Sequence, residues 1–136
     1  MAVYHKLLKN KAGDTIIPVT QDVYSTSETV VGLWTDGKPI YRKILTGTTS
    51  SSAGSDSSIF ALASLNVDTI VKMDGFVGYS PSSSWSSGSM MPLNYDYDST
   101  HYCTTYYYSN NNSIYAKCGQ ASCTITIILE YTKTTD

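Results

Sequence analysis

The chain has 136 residues, of which 15% are charged, with a formal net charge of −2 and a pI of about 5.5. So faintly acidic a balance carries no electrostatic footprint for nucleic acid. No apolar run approaches the length of a membrane-spanning helix, which argues against membrane insertion.

The length suits one domain with a modest core, so residues 1–136 are read as a single β-rich unit. Residues 1–22 form a candidate connecting or strand-exchange segment within it. Met1 is followed by a short mixed stretch without an apolar h-region, so no secretory signal is read and synthesis is expected in the cytosol. Lys6, Lys9 and Lys11 alternate with apolar residues and are read as a solvated face and not a phosphate grip.

Residues 23–43 (VYSTSETVVGLWTDGKPIYRK) carry the strongest local signal, a hairpin turning at Asp36-Gly37. A type I′ turn needs positive φ at both central positions, and Asp-Gly supplies it. Centring a two-residue turn there pairs Thr35 with Lys38, Trp34 with Pro39, Leu33 with Ile40 and Gly32 with Tyr41. Pro39 then falls at a non-hydrogen-bonded position, where its missing N–H is harmless. Tyr41 would cover the strand glycine opposite it.

Two Ser-rich tracts, 46–58 and 80–89, are predicted surface loops, because neither holds enough apolar surface to order itself. Between them, 59–65 (IFALASL) is the one helical candidate, too short to be stable alone. Residues 70–79 read as a strand with a bulge or turn at Asp74-Gly75.

Residues 102–119 form a second predicted hairpin, closed by Asn110-Asn111, since asparagine tolerates the left-handed conformation. The register pairs Cys103 with Cys118, Thr105 with Ala116 and Tyr107 with Ile114. It gathers Tyr102, Tyr106, Tyr108, Tyr115 and Lys117 on the opposite face. The last segment, 124–134, alternates with period two: Cys123, Ile125, Ile127, Leu129 and Tyr131 share one face. Several short strands and almost no helix predict an all-β domain of sandwich or jelly-roll-like type.

The pattern Y-S-T-x-E-x-V-x-G-x-W-x-D-G-K-P-x-Y-x-K resembles one found near the C-termini of tail-fibre and related virion proteins of phages and prophages, chiefly of Firmicutes. The resemblance continues more loosely through Asn66–Lys72, Met91–Tyr95 and Leu129–Lys133. It implies a β-rich distal domain, often a homotrimer, displayed on a virion among other virion proteins to meet a host surface. The residues that carry it, Trp34, Asp36, Gly37, Pro39 and Tyr41, look like fold determinants and name no chemistry.

Catalytic signals are thin, and no enzyme activity is expected. His5 and His101 have no zinc-ligand spacing, and Cys118 and Cys123 have no second pair to complete a tetrahedral site. On one strand His101 and Cys103 would sit about 6–7 Å apart, too far for a nucleophile–base hydrogen bond. Asp96 and Asp98 have the spacing of a glycosidase pair but no evident apolar pocket to raise one pKa. The same stretch, Asn94, Asp96 and Asp98, offers oxygen ligands for Ca²⁺, against the simpler reading of a polar connection. No metal, cofactor or catalytic residue is assigned. Cytosolic synthesis favours free thiols at Cys103 and Cys118, although the hairpin register would allow a bridge.

Twelve tyrosines remain to be explained. Tyr and Trp present a rigid apolar face with a polar tip, suited to stacking on sugar rings and to protein interfaces. The candidate ligand-binding residues are Trp85, Tyr95, Tyr97, Tyr106, Tyr108 and Asn111, and a cell-surface glycan is the expected ligand class. The leading expectation is thus a receptor-binding domain that attaches a virion to its host. A structural cap without its own ligand and a fragment of a polysaccharide depolymerase are the alternatives.

Overall fold

The structure, a computed structural model, describes residues 4–9, 15–21, 23–79 and 89–136. Among these residues the fold is all-β and sandwich-like, with a single 3₁₀ turn. Strands β1 (Tyr4–Lys9) and β2 (Thr15–Gln21) pair with each other as a two-stranded sheet. A five-stranded antiparallel sheet follows the order β3 (Thr29–Leu33), β4 (Pro39–Thr48), β10 (Thr124–Lys133), β6 (Val67–Gly78), β7 (Met90–Pro92). A three-stranded antiparallel sheet follows the order β5 (Asp56–Ala61), β9 (Ser113–Cys118), β8 (Cys103–Tyr108).

The alternation predicted for 124–134 is realised in β10, which lies between β4 and β6. Ile125, Ile127, Leu129 and Tyr131 are each fully buried. With Val77, the β6 partner of Ile125 in the same sheet, and with Ile114 and Ala116 of β9, they form one core cluster that joins the two sheets. Each such aliphatic side chain contributes roughly 1.5–3 kcal/mol of transfer free energy, so this face holds the sheets together.

The first hairpin exists, but its register differs from expectation by one residue. Leu33 pairs with Pro39 and Gly32 with Ile40, and Trp34 N–H donates to the Lys38 carbonyl at 2.8 Å. The loop is therefore Thr35-Asp36-Gly37, with Gly37 alone at positive φ (+88°). Asp-Gly fits a type I turn closed by a left-handed glycine as well as it fits the two-residue turn. A bulge at Val31 then places Val30 opposite Tyr41, so Tyr41 covers no glycine. Its ring lies instead beside Tyr131, with centroids 5.9 Å apart. Pro39 belongs to an interior strand, yet it lies beyond Tyr41, the last β4 partner of β10, so its missing N–H leaves no acceptor stranded there.

Three further expectations are corrected. Residues 59–61 continue strand β5, and only Ala63–Leu65 turn, as 3₁₀; Ile59 and Phe60 pack on the core and leave no amphipathic helix to form. Part of the first Ser-rich tract is likewise strand, since β4 reaches Thr48 and β5 begins at Asp56. The register of β6 runs through Gly75 without a bulge. A Cβ there would collide with the Thr126 carbonyl, so glycine answers a close backbone approach.

The second hairpin pairs as expected: Cys103 with Cys118, Thr105 with Ala116, Tyr107 with Ile114. Its turn differs, because Asn112 and neither Asn110 nor Asn111 takes positive φ (51°), making a four-residue loop. Cys103 and Cys118 are disulfide-bonded, which overturns the expectation of free thiols. The ladder holds their Cα atoms 4.1 Å apart, and that proximity outweighs an argument from compartment alone. Cys123 is a free thiol, buried in the core.

Candidate ligand-binding face

The outer face of the three-stranded sheet is the candidate site, and strand alternation builds it. Cys103, Thr105 and Tyr107 turn inward on β8, so Thr104, Tyr106 and Tyr108 turn outward. Tyr106 sits directly opposite Tyr115 of β9, which in turn pairs with Ser58 of β5. Their rings are nearly parallel, 18° apart with centroids at 5.5 Å. Tyr108 stands at 89° to Tyr115, with centroids at 5.8 Å. The result is an aromatic patch with a perpendicular flank. Tyr106 and Tyr108 are 39% and 43% exposed, too open for core residues.

Polar groups orient the rings. Tyr106 Oη reaches across β9 and donates to Asp56 Oδ2 on β5 at 2.7 Å. That bond to the Asp56 carboxylate is the main reason the Tyr106 phenol is pushed up to about 12. At the hairpin tip, Asn110 Nδ2 donates to Tyr108 Oη at 2.9 Å and Asn111 Nδ2 to Tyr115 Oη at 2.6 Å.

Of the predicted ligand residues, the fold thus gathers Tyr106, Tyr108 and Asn111. Tyr95 and Tyr97 are 52% and 61% exposed and belong to the 93–102 connection at the β8 edge. That connection is tied down by Asn94, whose Oδ1 accepts from Thr105 N–H at 2.8 Å, and by a bridge between Asp96 and Tyr102. Tyr97 packs its ring edgewise to His101 at 6.4 Å. Trp85 lies outside the described residues.

The Asp98 carboxylate of this connection is engaged internally. Asp98 Oδ1 accepts from Thr100 N–H at 2.9 Å, from His101 N–H at 2.7 Å and lies 2.8 Å from His101 Nδ1. The bond from the Thr100 amide is foremost among the causes that hold its carboxyl at about 2. A glycosidase general acid needs a shift in the opposite direction. Asn94 and Asp98, named as candidate Ca²⁺ ligands, thus turn oxygens to backbone amides.

Three residues of the patch were not among the candidates read from the sequence: Tyr115, Asp56 and Asn110, the last of which was named there only as a turn residue. Tyr115 carried a signal, since the hairpin register already placed it on the face of Tyr106 and Tyr108. Asp56 carried none, because it stands in a Ser-rich tract and reaches Tyr106 only through the strand order β5-β9-β8.

No protein-family model, curated protein or solved structure matches this chain.

Proposed function

We propose that this chain is a host-attachment domain of a phage or prophage particle, which binds a cell-surface glycan. The observation that carries this reading is the Tyr106–Tyr115–Tyr108 patch on the three-stranded sheet, with Tyr106 and Tyr108 exposed and Tyr115 half-buried, braced at its hydroxyls by Asp56, Asn110 and Asn111. Rigid aromatics lose little conformational entropy on binding and offer flat apolar area to the C–H face of a sugar ring. The virion setting is supported by the motif resemblance of the first hairpin. On this reading the protein is made in the host cytoplasm, assembles as a homotrimer and sits in the virion beside other structural proteins. Weak single-site contacts would then be multiplied by valency.

A structural cap is the second reading. Phe76 and Met90, 39% and 62% exposed on the outer side of the five-stranded sheet, favour it, because exposed apolar side chains of that size suit subunit packing.

The test combines solution mass with adhesion. Displayed on a multivalent support, the protein should adhere to a panel of Gram-positive cell envelopes, and the Tyr106→Ala, Tyr115→Ala double variant should lose adhesion at unchanged oligomeric mass. Loss of the oligomer in that variant, or no adhesion by the parent, would favour the cap.

A further inference from the structure

Resting on the glycan-attachment reading, we infer that the tyrosine patch takes an uncharged pyranoside, and that it discriminates against anionic polymers. The argument is a balance of donors and acceptors. Asn110 and Asn111 give their amide hydrogens to Tyr108 Oη and Tyr115 Oη. Those two phenols, having accepted, keep their own O–H protons for a ligand. Tyr106 gives its proton to Asp56 Oδ2. Among the described residues this leaves Asp56 Oδ1 and the two asparagine Oδ1 atoms as acceptors without a hydrogen bond, beside two phenolic donors. A sugar hydroxyl both donates and accepts, so it satisfies either kind.

An anion fits this set poorly. It would meet the Asp56 carboxylate and amide oxygens, which are acceptors like itself. The cation in register here, Lys117, is the cross-strand partner of Asp56 itself. Among the described residues no arginine fork faces the rings, since Arg42 lies over Tyr24 and beside Glu130, and a carboxylate or phosphate is best held by such a fork. Ring geometry points the same way: a pyranose laid on Tyr106 or Tyr115 meets the edge hydroxyls and amides that rim the rings, while Tyr108 stands as a flank at 89°.

Two-dimensional NMR of the intact protein supplies the test. Titrants are the methyl glycosides of glucose, galactose and N-acetylglucosamine, with glucuronate and glycerol phosphate as the anionic set. At least one neutral glycoside should shift the ring resonances of Tyr106, Tyr108 and Tyr115, and neither anion should. Tyr115→Ala should weaken that binding about tenfold. Asp56→Asn, which keeps an acceptor but adds a donor, should weaken it about fivefold, with folding verified by unchanged amide dispersion. Anion-induced ring shifts of equal size, or no ring shift with any neutral glycoside, would overturn the inference. Ring shifts without adhesion to any envelope would leave this site standing and sink the attachment reading. Adhesion that survives Tyr115→Ala would do the reverse.

Discussion

Tyr131, on the central strand, donates its hydroxyl to the Glu28 carboxylate, which precedes β3 by one residue. Lys133 Nζ donates to the other Glu28 oxygen at 2.6 Å and stands 4.5 Å from the Tyr41 ring centroid. Beside them, Lys38 Nζ reaches Asp68 at 2.7 Å and the Lys133 carbonyl at 3.1 Å. Residues from three separated stretches of the sequence, 23–43, 66–72 and 129–133, therefore meet at one end of the sandwich. Their work there is to join β3, β4, β6 and β10.

Removing Glu28 should cost more than removing the hydroxyl it binds. Tyr131→Phe deletes one hydrogen bond and leaves the Glu28–Lys133 pair, a loss of about 1 kcal/mol. Glu28→Ala strands a buried phenol and an ammonium group, a loss of about 2–3 kcal/mol. Burial first, then the bond to Glu28, raises the Tyr131 pKa, and a raised pKa gives stability that is complete below about 10 and fades as pH climbs above it. Urea unfolding of both variants at pH 7, and of the parent at rising pH, measures each statement.

Tyr106 should ionise late, and Asp56 should be the reason. Its phenol is pushed up to about 12, so its contribution holds below the ordinary value near 10 and disappears as pH rises through 12. In Asp56→Asn one tyrosine should move back toward pH 10 in an absorbance titration of phenolate. An unchanged titration curve would place Tyr106 away from Asp56.

Reduction of the Cys103–Cys118 bridge should destabilise the three-stranded sheet without unfolding the core. The bonded residues are 15 apart, which on the chain-entropy model corresponds to about 3 kcal/mol. The Cys103→Ser, Cys118→Ser pair should show that loss and become insensitive to reductant. A thiol count on the folded parent should leave Cys123 unreactive, because it is fully buried.

Acid should spare the 93–102 connection until low pH. The Asp98 carboxyl is held at about 2, chiefly by the Thr100 amide, so its bonds persist above the usual carboxylate range and are lost as pH falls through 2. Amide shifts of Thr100 and His101 should titrate together there, whereas in Asp98→Ala they should be displaced already at neutral pH.

What the chain determined by itself is local. Period-two alternation in 124–134 marked the buried strand, and the pairing of Cys103 with Cys118 followed from the pleat once the hairpin was centred correctly, since each residue's face depends only on its parity. Even local chemistry was ambiguous at Asp36-Gly37, where one dipeptide fits two loop lengths, and a one-residue slip together with the bulge at Val31 moved Tyr41 from Gly32 to Val30. Strand order lay beyond such rules, because it depends on which apolar faces exclude water best when all strands compete. That global competition placed β9 between β5 and β8, carried Asp56 within reach of Tyr106 and joined Glu28 to Tyr131, contacts 50 and 103 residues apart in the sequence.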